Sequence, residues 1–127
     1  MIELLYIDDS VIDIALMQAY FEKDKNIEIT CQTVIPSYSM CKEYDGVIVD
    51  QNLTNGKKGI DFAYGLSVRA PMLPIMLYTG ESSLISNDYK VVVDAICNKN
   101  DMAEFGINLL SWLRQIKRIK HYKEQLS

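Results

Sequence analysis

Gly46-Val47-Ile48-Val49-Asp50 decides how the rest of the chain reads. An unbroken apolar run of this kind suits a strand buried on both faces, and it ends directly on a carboxylate. Working outward, residues 2–7 (Ile-Glu-Leu-Leu-Tyr-Ile) form a strand that ends on Asp8-Asp9. Residues 27–34 alternate with period two, as a half-buried edge strand does. Residues 73–78 make another buried strand, closing on Thr79-Gly80, with Pro74 near its start where a missing N–H is tolerated. Residues 90–96 make the fifth, followed by Cys97-Asn98-Lys99.

Helical segments separate these runs. Ser10 is a good cap for a helix from Val11 to about Glu22, with Val11, Ile14, Ala15 and Ile12, Leu16 offering its apolar faces. Residues 36–44 hold at most a short helix, and residues 51–58 form a loop rich in Asn, Gly and Lys. A helix over residues 59–69 stops near Pro71. Residues 81–88 make a short, weak, polar helix, and Asp101 caps a long final one. Five strands alternating with helices predict an α/β fold: a doubly wound parallel sheet with helices on both faces.

At 127 residues the chain fits one domain, and a hydrophobic share of 49% is too high for a disordered one. No apolar run approaches the roughly 20 residues of a membrane span. Glu3, Asp8 and Asp9 are not the pattern of a secretory leader. The odd cysteine count (Cys31, Cys41, Cys97) without a C-x-x-C pair reads as buried thiols, so a cytoplasmic location is expected. The net charge of −4 hides a division: residues 114–127 carry five basic groups and one acid, and everything before them is strongly acidic.

Ligands of parallel sheets gather outside the carboxyl ends of the strands. Four of the five predicted strands deliver a chemically useful residue there: Asp8-Asp9, Asp50, Thr79 and Lys99. Singly, each is an ordinary turn, cap or surface residue; together they are not. Converging carboxylates repel one another unless a cation sits among them, and Mg²⁺ is the usual choice beside a phosphoryl group. With the Thr79 hydroxyl and the Lys99 ammonium, the set matches what phosphoryl transfer asks for. Asp50 is the best-placed nucleophile, because the adjacent acids suit the metal.

In these residues, and in their spacings of 41, 29 and 20, the sequence resembles the receiver domain of two-component response regulators over residues 2–116. The resemblance implies a flavodoxin-like five-stranded sheet of order 2-1-3-4-5. It implies that Asp50 takes a phosphoryl group from a histidine kinase or histidine phosphotransfer protein. Mg²⁺, with Mn²⁺ as a substitute, would be held by Asp9, Asp50 and the carbonyl of Asn52, with Asp8 acting through bound water. Thr79 would hydrogen-bond the phosphoryl group, Gly80 would leave it room and Lys99 would pair with it. Asn52 and Glu81 match the polar pair that tunes dephosphorylation in chemotaxis-type regulators, which implies a short-lived acyl-phosphate. The protein would be a signalling switch, an enzyme only toward its own phosphorylation and dephosphorylation.

Some positions depart from that family. Asn100 stands where proline is usual, the loop between Asp50 and Gly59 is one residue longer than usual, and the second helix is short. Ile96 occupies the position of the aromatic residue that turns inward in many regulators, which puts that part of the switch in question. Other classes fit less well. A haloacid-dehalogenase-type phosphatase needs an acid where Asn52 stands, and Asp8-Asp9 would repel the phosphate of a flavin carrier. The remaining alternative is a degenerate receiver acting as a phosphorylation-independent docking or dimerisation module.

In the last helix Phe105, Leu109, Trp112, Ile116 and Ile119 recur at 4-3-4-3 spacing, with Leu126 seven residues on. Residues 1–117 are expected to be the receiver, and residues 118–127 a basic extension serving as linker, dimerisation segment or lead to an output domain. Nucleic-acid binding is not expected, since only Tyr122 among the tail's residues could stack on a base. His121 reads as a solvated helix residue.

Overall fold

A computed structural model of the chain describes residues 1–80 and 92–127. The expected helix at residues 81–88, the first two residues of the expected fifth strand, and Glu81 lie outside the described residues. Strands β1 (Ile2–Ile7), β2 (Ile27–Gln32), β3 (Gly46–Val49), β4 (Ile75–Thr79) and β5 (Ala95–Asn98) form one parallel sheet in the order β2-β1-β3-β4-β5. Helices α1 (Val11–Phe21), α2 (Tyr38–Cys41), α3 (Gly59–Arg69) and α4 (Met102–Leu126) connect and cover it. This is the expected flavodoxin-like order, with helices on both faces.

Alternation along the strands divides the core in two. Leu5, Ile7, Val47, Val49, Ile75 and Leu77 face Phe62, Ala63 and Leu66 of α3, with Cys41 of α2. Leu4, Tyr6, Ile48, Met76, Tyr78 and Cys97 face Met17 and Phe21 of α1 and Phe105, Leu109, Trp112 and Ile116 of α4. Each large apolar side chain so buried contributes about 1.5–3 kcal/mol.

Three expectations need correction. Among the described residues the fifth strand begins at Ala95 and includes Cys97 and Asn98, so residues 92–94 of the expected 90–96 lie outside it. Asp94 marks the entry: its amide donates to the Ile75 carbonyl at 2.8 Å, while its carboxylate takes the Ile75 amide at 2.7 Å and the Gln115 side-chain amide at 2.7 Å in place of a further ladder bond. In α1 the buried residues are Met17 and Phe21, while Val11, Ile12 and Leu16 point to solvent. Apolar residues occur nearly all round this helix, so periodicity could not choose the face that packs. Of the three free thiols, Cys31 on the edge strand is only half-buried, whereas Cys41 and Cys97 are buried.

The final helix is continuous from Met102 to Leu126, across the expected boundary after residue 117. Its buried stripe ends at Ile116, and Leu126 is exposed. Lys120 folds back, donating to the Met1 carbonyl at 2.7 Å and to Asp45 at 3.0 Å.

Helix α3 starts hard against the end of β3. Gln51 accepts the Gly59 amide on its backbone oxygen at 2.8 Å and the Ile60 amide on its side chain at 2.9 Å. A Cβ at Gly59 would lie 2.1 Å from the Asp50 carbonyl oxygen, so the junction admits only glycine. Gly59→Ala is therefore expected to destabilise the fold by about 2–3 kcal/mol. A urea-unfolding midpoint equal to that of the parent chain would contradict this close approach.

Candidate functional site

Strand register brings the acids together. Ile7 pairs with Val49, so Asp8 and Asp50 leave the sheet side by side, and the Asp50 amide donates to the Ile7 carbonyl at 2.9 Å. Thr79 pairs with Asn98 one strand further along, and the Lys99 amide donates to the Thr79 carbonyl at 3.0 Å. Asp9 is exposed, whereas Asp8, Asp50 and Thr79 are buried. Carboxylate oxygens of Asp8, Asp9 and Asp50 all lie within 4.8 Å of one another. Three hard oxygen donors at the mouth of a sheet, one of them open to water, fit a divalent cation.

Lys99 sits among these acids. Its ammonium lies 2.8 Å from Asp8, 2.7 Å from Asp13 and 3.1 Å from Asp50. Asp8 accepts three hydrogen bonds: one oxygen takes the Ser10 amide at 2.9 Å, and the other takes Lys99 and the Tyr6 hydroxyl. Burial raises the pKa of the Tyr6 phenol, and the hydrogen bond to Asp8 raises it further. Burial alone would lower the pKa of Lys99, but the hydrogen bonds to Asp13 and Asp8 and the charge of Asp50 raise it overall. Burial pushes the Asp50 carboxyl up from 3.8 to about 6; Lys99 pulls it down and Asp8 pushes it up.

Asn52 is exposed on the loop after Asp50, bridged to Lys58, whose ammonium donates to the Asn52 side chain at 3.0 Å. Gly80 is exposed; among the described residues a Cβ there would meet nothing closer than the Asn100 side-chain amide at 3.6 Å. The Asn100 amide donates to the Asn98 side chain at 2.8 Å, a bond that proline could not make. Ile96 is half-buried against the α3 side of the core, paired with Leu77. Its neighbour in space on the opposite face, Tyr78, holds its ring 5.7 Å from the Lys99 ammonium and packs on Tyr6 and Phe105. His121 is exposed on α4, away from the site.

Two residues of the cluster were missed by reading the sequence. Asp13 looks like an ordinary first-turn acid of a capped helix, since Ser10 accepts its amide at 3.2 Å. Tyr6 looks like one more apolar strand residue. A signal for Tyr6 did exist, because positions two apart in a strand share a face, and Tyr6 is two before Asp8. Nothing local indicates that Asp13 meets a lysine 86 positions away.

No family model matches the chain, and no curated protein matches it. Solved structures do, and they are mostly response-regulator receiver (CheY-like) domains. The response regulator TrrA from Thermotoga maritima, in complex with Mg²⁺-BeF, is 19% identical with a TM-score of 0.71 over 88% of this chain and 99% of that one. The signal receiver domain of a Luxo repressor protein from Vibrio parahaemolyticus is 15% identical, with a TM-score of 0.75 over 99% and 98%. NtrX from Brucella abortus is 18% identical with a TM-score of 0.72; the match takes 97% of this chain but 29% of NtrX. At these identities the likeness is one of fold. The chain has the receiver-domain fold.

The raised pKa of Asp50 has a consequence for stability. Between about pH 4 and about pH 6 the folded chain holds a proton at Asp50 that the unfolded chain has released, so stability falls as pH rises through this window. The loss is on the order of 3 kcal/mol. Asp50→Asn removes it, so in chelator the variant should overtake the parent chain as pH rises from about 4 to about 7. Denaturant unfolding at both ends of the range checks this; a constant difference between the two proteins would refute the raised pKa.

Proposed function

We propose that this receiver fold is a phosphoacceptor, with Asp50 as the residue modified. The observation that supports it most is the convergence, at one sheet edge, of Asp50, a lysine ammonium 3.1 Å from it, two further acids and the end of β4 at Thr79. A phosphohistidine of a histidine kinase or phosphotransfer protein is the donor. An Asp50 carboxylate oxygen attacks the phosphorus, the O–P bond forms as the N–P bond breaks, and the imidazole leaves with the electron pair and takes a proton. Mg²⁺ at Asp8, Asp9, Asp50 and Asn52 supplies charge neutralisation when bound. Lys99 and Thr79 supply the cation and the hydroxyl that hold the phosphoryl oxygens, and Gly80 leaves space for them.

Hydrolysis returns inorganic phosphate: water adds to phosphorus and the carboxylate of Asp50 leaves. Asn52 and Glu81 tune that step, and the phosphorylated state is short-lived. The change of state is read by a protein partner at a surface that Ile96 helps to shape in place of an aromatic residue. Such a switch works in the cytoplasm, either joined to an output domain or paired with a second copy through α4.

The test is phosphorylation by a small phosphodonor with Mg²⁺, read by intact mass. The parent chain should gain one phosphoryl group that is lost again well within hours, and Asp50→Asn should gain none. Lack of any acyl-phosphate on the parent chain would instead leave a docking or dimerisation module that works unphosphorylated. Persistence for many hours would contradict the assigned roles of Asn52 and Glu81.

A further inference from the structure

Lys99 has three N–H donors and spends them on three carboxylates, Asp8, Asp13 and Asp50. Its side chain is 16% exposed, so water has little room to compete. The proposed phosphoryl group on Asp50 brings three strong acceptor oxygens and about two negative charges, and pairing it with Lys99 requires an existing contact to yield.

The three carboxylates are not equally able to let go. Asp8 is fully buried, so unless a cation takes the lysine's place, removing the lysine would leave a charge with only the Tyr6 hydroxyl and the Ser10 amide to hold it. Asp50 is the group that carries the phosphoryl oxygens, so its contact is converted and not lost. Asp13 is 31% exposed and stands in the first turn of α1, where water can replace the lysine at small cost. It also makes the shortest of the three contacts, at 2.7 Å.

We propose that Asp13 is a positioning residue that holds Lys99 in the resting state and surrenders it to the phosphoryl group on Asp50. Asp13 competes with the incoming group, so it weakens the modified state. Its release frees the first turn of α1 from a tether to the end of β5. The proposal rests on the phosphoacceptor reading, and adds a residue that reading does not need. The competing explanation is that Asp13 only favours the N-terminus of α1, as any first-turn acid does.

Fluoroberyllate with Mg²⁺, which mimics a phosphoryl group on a carboxylate, separates these ideas without a kinase. Titrations of the full chain are followed by the NMR amide signals of residues around Asp50. Asp13→Asn should bind fluoroberyllate about three- to tenfold more tightly than the parent chain, the worth of one partly exposed ion pair. Asp13→Glu should return close to the parent value. Asp101→Asn removes the same charge two residues from Lys99 while keeping a side chain able to cap α4, and should change affinity by less than about twofold. Amide exchange in the first turn of α1 should quicken on fluoroberyllate binding in the parent chain and be insensitive to it in Asp13→Asn.

Unchanged or weaker binding by Asp13→Asn, with binding by the parent chain intact, overturns the role of Asp13 alone. An equal gain from Asp101→Asn also overturns it, since the effect would then be general charge and not a held lysine. Absence of fluoroberyllate binding by the parent chain overturns the phosphoacceptor reading and this proposal together.

Discussion

Everything at the carboxyl edge of the sheet depends on one ammonium group. Asp8, Asp9 and Asp50 approach within 4.8 Å, and two of them are buried, so their mutual repulsion is poorly screened. Lys99 reaches two of these acids and Asp13 besides, tying the ends of β1, β3 and β5 and the start of α1 to one point. The balance is incomplete. Asp50 still sits with its pKa pushed to about 6, which means that burial outweighs the lysine's pull. Such residual tension fits a site whose occupant changes, because a cation or a new partner for Lys99 has something to relieve.

The sheet makes this arrangement unavoidable once the register is set. Parallel neighbours end at the same edge, and Ile7 opposite Val49 puts Asp8 beside Asp50 with no contribution from the loops. The loops refine it. Gln51 stitches the start of α3 to the residue after Asp50, and Gly59 allows the helix to pass within contact distance of the Asp50 carbonyl. The Asn98–Asn100 bond shapes the turn after β5 in a way the more usual proline would forbid.

The strand-end residues were legible in the sequence because an apolar run that stops on a polar side chain marks both a strand and its end. That local mark identified Asp8, Asp9, Asp50 and Thr79 correctly as edge residues. It misplaced β5, because Asp94 interrupts Val-Val-Val-Asp-Ala-Ile-Cys-Asn with a side chain already committed to Ile75 and Gln115. It gave no guidance on α1, where apolar residues on every side left the packed face to be chosen by Met17, Phe21 and the strands beneath. Asp13 was illegible for a deeper reason. A first-turn acid serves its own helix in any fold, so its partnership with Lys99 exists only once the sheet has closed.

Charge division along the chain acquires a partial explanation from the same contacts. The acidic body concentrates carboxylates at the edge where Lys99 holds them. Of the basic groups at the end of α4, Lys120 is structural, reaching Met1 and Asp45 across the amino end of the sheet. Arg114, Lys117, Arg118 and Lys123 remain exposed, and the buried stripe has already stopped at Ile116. Exposed cations at a helix end contribute little to the stability of this fold, beyond favourable charge near the helix's own C-terminus. Past Ile116 the helix is held to the fold by Lys120 and by half-buried Ile119, while Leu126 and the remaining cations are exposed.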